Sequence, residues 1–129
     1  MALFQSAATK ENPTPLIGIE EPESALHPAA AGVLRDALRA ASQHTQVLVT
    51  SHSPELLDDK YIQAESILSV LIDNGVTTIA PLDEAGRTTI QEGLYTPGEL
   101  LRLNQLEPEP EQIVKQQNGQ LDLFAKYTQ

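Results

Sequence analysis

Three carboxylates follow a short apolar run in the stretch LIGIEEPESALHP, residues 16–28. Glu20 and Glu21 are adjacent, and Glu23 comes after Pro22. Adjacent acids repel each other and contribute nothing to a hydrophobic core, so a cation is the partner that would suit them. Carboxylate oxygens are ligands that Mg²⁺ prefers in proteins. The pattern therefore points to chemistry at the end of an apolar segment.

A second apolar run, QVLVT at residues 46–50, is followed by Ser51, His52 and Ser53. Ligand sites of open α/β sheets lie at the carboxyl ends of parallel strands. If the two runs are neighbouring strands, two carboxylates and an imidazole meet at one edge. That set suits phosphoryl transfer, in which one carboxylate holds Mg²⁺, a second polarises the attacking water, and the imidazole donates to the terminal phosphate.

The elements that must position these groups form a βαβ unit. Residues 16–20 and 46–50 are predicted strands, and residues 28–42 between them are a predicted helix that starts at Pro28. On this helix Val33, Leu34, Ala37, Leu38 and Ala41 share one face and are predicted to be core. We expect parallel strands with a right-handed crossover, covered on both faces because both runs are apolar. Ser53-Pro54 predicts a short helix through about Asp58.

The rest of the chain adds a hairpin and a helix. Asn74-Gly75 lies between SILSVLID and VTTIAPL, which is a strong signal for a two-residue β-hairpin, and Pro81 places the second arm at a sheet edge or strand end. A helix is predicted over Thr96 to Leu106. We therefore predict an α/β fold with three segments: a lead-in over 1–15, a domain over 16–106, and an acidic, flexible tail over 107–129 that could end in a helical turn near LDLFAKY.

Composition limits the partners and the compartment. The chain has 129 residues and a formal net charge of −10, with only eight scattered Lys and Arg residues. Such a surface repels phosphate backbones, which argues against direct nucleic-acid contact by this segment. There is no cysteine, which fits a reducing compartment. No apolar run approaches the roughly 20 residues of a membrane span, and no secretory signal is present, so the cytoplasm is the expected location.

The motifs resemble the second half of an ABC-type ATPase domain. PLIGIEEPESALHP followed by QVLVTSHSPELLD is most similar to the predicted AAA/ABC-type ATPases grouped with the RecF, SMC and OLD-like proteins. In that family an apolar strand ends in two acids and a proline, the Walker B motif, here Ile17 to Pro22. The motif resemblance covers residues 16 to about 59, and IAPLDE and LYTPGELLR are a weaker match to the end of the same group.

The resemblance implies a role for each matching residue. Glu20 corresponds to the magnesium-binding carboxylate and Glu21 to the acid that activates water. Ser24, Ala25, Leu26 and His27 match the D-loop, which contacts the nucleotide site of a partner subunit. His52 matches the switch histidine that senses the γ-phosphate. ATP and Mg²⁺ are the implied cofactors, and the implied fold is the parallel βαβ core of a P-loop NTPase half-domain.

Two motifs of the family do not occur in the 129 residues: the P-loop G-x-x-x-x-G-K-[ST] and the ABC signature. In the family both lie upstream of Walker B, so residues 1–15 would be a remnant of the signature helix or a loop. We therefore expect a truncated reading frame or one half of a split protein. It would hydrolyse ATP only when an upstream ATPase half, or a homodimer partner, completes it, and the isolated chain is expected to be inactive.

Simpler explanations exist for each residue. Glu20 and Glu21 could be a solvated strand end, His52 an ordinary polar histidine, Glu23 a loop acid, and His27 a cap before Pro28. His44 is expected to be structural or exposed. For the whole chain, the alternative is a non-catalytic interaction or oligomerisation module derived from such an ATPase. A nuclease that uses the acids to bind metal is a third option, although the tail contains no acidic motif of that kind.

Overall fold

The computed structural model describes residues 16–116, and the chain divides into two compact units, Met1–Leu56 and Leu57–Gln129. The predicted lead-in over 1–15 and the predicted helical turn near LDLFAKY lie outside the described residues. Among residues 16–116, no helix combines the length and the apolar character that crossing a bilayer requires.

The first unit contains the predicted βαβ arrangement. Strand β1 (Leu16–Glu20) pairs in parallel with β2 (Gln46–Thr50), in register from Leu16 opposite Gln46 to Glu20 opposite Thr50. Helix α1 (Ala31–Ser42) connects them and contacts β2. The small parallel sheet is therefore confirmed, whereas the larger core of a P-loop NTPase is not present in the described residues.

Among residues 16–56 only one face of this sheet is covered, whereas the apolar strands predict a cover on both faces. Ile17 is buried, but Leu16 and Leu48, on the opposite face, are 51% and 54% exposed. Two covered faces need an element packed on each side of the sheet, and the described part of the unit contains one long helix, α1. Val33 is also not a core residue, because its side chain is 75% exposed on α1.

A turn of 3-10 helix, Pro28–Ala30, directly precedes α1, and His27 caps this turn. The Nδ1 atom of His27 accepts a hydrogen bond from the backbone N–H of Ala29 at 3.2 Å, and Pro28 has no N–H to satisfy. This contact matches the simpler explanation for His27, that of a helix cap. A short helix α2 (Pro54–Leu57) follows β2, close to the predicted bounds.

The second unit contains the predicted hairpin. Strands β3 (Leu68–Asp73) and β4 (Val76–Pro81) are antiparallel, with Asp73 opposite Val76. Both turn residues have positive φ, 49° at Asn74 and 79° at Gly75. These angles define the two-residue turn whose twist matches that of the flanking strands, and Asn-Gly favours it because both residues tolerate positive φ.

The first two helices after the hairpin are α3 and α4, and the sequence did not predict α3. Helix α3 (Glu84–Gln91) begins after Asp83, whose side chain accepts from the backbone N–H of Gly86 at 2.8 Å. Helix α4 (Pro97–Arg102) begins with a capping box between Thr96 and Glu99. It ends before the predicted Leu106, because Asn104 adopts a left-handed conformation with φ of 54°.

Residues 107–109, at the start of the segment predicted to be a tail, pair with the chain at the end of β4. The backbone N–H of Asp83 donates to the carbonyl of Glu107, and that of Glu109 donates to the carbonyl of Pro81, both at 2.9 Å. A bridge joins Leu82 to Pro108, and residues 110–116 are helical. The core of this unit consists of small and aliphatic side chains, all buried: Ala64, Ala80, Leu82, Pro97 and Leu100.

Candidate functional site

The loops after β1 and β2 leave the sheet side by side. The last residues of the two strands, Glu20 and Thr50, are register partners. The backbone N–H of Glu21 donates to the carbonyl of Thr50 at 2.9 Å, with the Thr50 hydroxyl oxygen at 3.3 Å. Glu21 has a φ of 41°, a conformation that is uncommon for a residue other than glycine. Parallel pairing therefore places the polar residues of both loops at one sheet edge.

The structure brings Glu21 and His52 into contact. The Nδ1 atom of His52 lies 3.0 Å from Oε1 of Glu21, and the two side chains are 78% and 46% exposed. Both groups are therefore open to solvent and to an incoming ligand. A carboxylate and an imidazole at this separation can share or transfer a proton, which is the arrangement that acid–base chemistry requires.

Glu20 is exposed at the end of β1, one residue before this contact. Among residues 16–116 no group of three or more His, Asp or Glu side chains is arranged to hold a metal ion. Mg²⁺ in nucleotide sites is bound by one or two carboxylates, with water and phosphate oxygens as the other ligands. The exposed carboxylate of Glu20 fits that kind of site, in which water and the nucleotide supply the rest of the coordination.

The carboxylate of Glu23 makes a hydrogen bond to the loop after β2, which the sequence did not predict. Its Oε1 atom accepts a hydrogen bond from the Ser51 hydroxyl at 2.5 Å, and its Oε2 atom is buried with no hydrogen-bond partner among residues 16–116. From the sequence, Glu23 is expected to be a loop acid. The sequence feature that could have indicated its contact with Ser51 is position, because each residue closely follows one of two strands that are predicted to pair.

Residues 24–27 form the turn between the strand end and α1. The backbone N–H of Ser24 donates to the carbonyl of Glu21, and that of Leu26 donates to the carbonyl of Glu23, at 3.0 and 2.9 Å. Ser24, Ala25, Leu26 and His27 are all exposed. This turn is therefore an accessible surface next to the acids. His44, at the other end of α1, is also exposed.

A small cavity of about 70 Å³ lies beside the turn. Side chains of Glu23, His27, Ser53 and Glu55 line it together with apolar neighbours. Sites for nucleotide-sized ligands measure roughly 300–1,000 Å³. The cavity has room for water or a small ion, but a nucleotide at the strand ends would need further walls from another segment.

A family model matches the first part of the chain. Residues 1–58, less than half of the chain, match the model of the family "AAA domain, putative AbiEii toxin, Type IV TA system". These residues include β1, α1, β2 and both loops of the candidate site. No curated protein matches the chain.

A solved structure of an SMC ATPase, described with ATP-driven dimerization and DNA-stimulated activation, is similar in fold. The TM-score is 0.50 at 21% sequence identity, and the match covers 72% of this chain and 56% of that one. The chain thus spans little more than half the length of that structure. The family match thus covers the strands and loops of the candidate site, and the structural match shows a likeness of fold.

Proposed function

We propose that this chain is the C-terminal part of an ABC-type ATPase domain of the RecF, SMC and OLD-like group. It hydrolyses ATP when a segment with a P-loop and a signature motif completes it, as the upstream half or as a dimer partner. The observation that supports this most is the contact between Glu21 and His52 at the shared end of two parallel strands.

In the completed site each of these residues has a defined role. Glu20 would hold Mg²⁺, and the ion would supply positive charge to neutralise the phosphates. Glu21 accepts a proton from the attacking water. An imidazolium donates from both ring nitrogens, so His52 can hold Glu21 through Nδ1 and donate to a γ-phosphate oxygen through Nε2. Ser24 to His27 contact the partner across the dimer interface.

The isolated chain should bind Mg-ATP only weakly, with a Kd above about 1 mM, and should release no phosphate. The physical reason is that a P-loop supplies the backbone amides and the lysine that hold the phosphates, and no P-loop occurs in the 129 residues. Titration calorimetry with ATP and Mg²⁺ measures this directly. Tight binding by the chain alone would show that the site is complete without another segment.

The second candidate is a non-catalytic module that binds a partner or dimerises. The open sheet face with Leu16 and Leu48 favours it, because exposed apolar area of this kind is covered in stable assemblies. Light scattering separates the two proposals. A module should form a dimer of about twice 14.0 kDa without nucleotide, and Leu48→Lys should dissociate it. A monomer that dimerises only with a P-loop segment and ATP would favour the ATPase.

A further inference from the structure

We propose that Glu23 is a positioning residue, which fixes His52 against Glu21 by holding the hydroxyl of Ser51. The geometry stands by itself, and only its consequence for catalysis rests on the proposed function. The first argument is the state of the Glu23 carboxylate, with one oxygen bound to Ser51 and the other buried without a partner among the described residues. The small cavity beside Glu23 has room for a water that would satisfy the second oxygen, so the bond to Ser51 is the contact that joins this carboxylate to the loop after β2.

The second argument is how the Ser51 hydroxyl divides its hydrogen bonds. It has one proton, which it donates to Glu23, and its oxygen accepts from the backbone N–H of Ser53 at 3.0 Å. The Ser53 hydroxyl in turn accepts from the backbone N–H of Leu56 at 3.3 Å, at the start of α2. His52 is therefore the central residue of a turn that is held on both sides.

The third argument is that, within the described part of the chain, Glu21 is the one hydrogen-bond partner of the His52 side chain. Its side chain is 78% exposed, and its contact with Glu21 is a surface ion pair or hydrogen bond, which by itself holds two side chains only weakly. The bond between Glu23 and Ser51 joins the same two loops, at positions two residues after Glu21 and one residue before His52. With the bond from Glu21 N–H to the Thr50 carbonyl, it restricts both partners of the His52 contact.

In the proposed ATPase, this arrangement presents the imidazole to the phosphate in one orientation. Glu23 does not touch the reacting atoms and acts through Ser51. Loss of the carboxylate would leave the turn free to rotate, and His52 would spend less time beside Glu21. The polar atom that matters is the acceptor oxygen, and the negative charge is not needed.

Ring ¹⁵N NMR of the 129-residue chain tests this, because it reports which nitrogen of each imidazole carries a proton. The chain has three histidines, so variants of His27 and His44 assign the signals. Glu23→Ala and Ser51→Ala should each lower the ratio of Glu21-bound to unbound His52 about fivefold, the effect of one lost hydrogen bond. Glu23→Gln and Ser51→Thr keep the acceptor and the hydroxyl, and should remain close to wild type.

Ser42→Ala is the matched control, since the Ser42 hydroxyl donates to the Arg39 carbonyl at the far end of α1. It should leave the His52 signals unchanged. Unchanged His52 signals in both alanine variants, with the circular dichroism of wild type, would overturn the proposal. So would a Glu23→Gln variant that behaves like Glu23→Ala, because the charge would then be the cause. No nucleotide is needed, so a chain without ATPase activity still tests the positioning role.

Discussion

Glu21→Gln should lower ATP turnover by about 10²- to 10⁴-fold in the ATPase completed by a P-loop segment, the usual contribution of a general base. The amide keeps the size of the side chain and can still accept from Nδ1 of His52, but it cannot take a proton from water. ATP binding should therefore change little, and the loss should appear in kcat and not in KM. Steady-state phosphate release measures both quantities.

Glu92→Gln is the matched control for this substitution. Glu92 is an exposed residue just after α3, in the second unit of the chain, and its neutralisation should leave turnover within about twofold, as expected of surface changes away from any site. If the Glu21 variant retained full turnover, another group would have to activate water. The contact between Glu21 and His52 would then be a structural feature of the ATPase and not part of its catalytic machinery.

The sequence predicted the elements whose signals are local. The two strands of the βαβ unit are short apolar runs next to turn residues, and Asn74-Gly75 fixes the hairpin because both residues accept positive φ. Pairing of the strands in parallel then followed from the length of the helical connection. From these local signals alone, the carboxylates and the imidazole could be expected at one sheet edge.

Helix α3 was missed because its sequence is a poor helix former. The segment EAGRTTIQ contains a glycine and two adjacent threonines, residues of low helix propensity. Tertiary contacts compensate, since Gly86 is buried and Asp83 caps the first turn. The cap itself was visible in the sequence, as an Asp before Glu84, and Gly93 with φ of 68° marks the end of the segment.

Two other features depend on contacts that a sequence pattern does not contain. Residues 107–116 are acidic and rich in proline, which is typical of a flexible tail, yet backbone hydrogen bonds join them to the end of β4. The bond between Glu23 and Ser51 joins residues 28 positions apart. It becomes visible only when the two strands are placed in register, and so Glu23 was read as a loop acid.

Leu82→Ala should destabilise the second unit by about 3 kcal/mol, within the range of roughly 2–5 kcal/mol for fully buried leucines. Leu82 has no exposed surface, and it directly follows β4, where its backbone forms a bridge with Pro108. Truncation of its side chain leaves a cavity in the core of the unit. Urea unfolding followed by circular dichroism and by amide hydrogen exchange in β3 and β4 measures the loss.

Leu94→Ala is the matched control, because Leu94 is 64% exposed in the loop after α3 and its truncation removes little buried area. It should change the free energy of unfolding by less than about 0.5 kcal/mol. Equal effects of the two variants would contradict a core centred on Leu82. Exchange that rises in β4 after Leu82→Ala, while the Leu94 variant stays like wild type, would instead place Leu82 in the core of the unit. A parallel rise at the amide of Glu109, which donates to the carbonyl of Pro81, would show that the acidic C-terminal segment is part of the same folded unit.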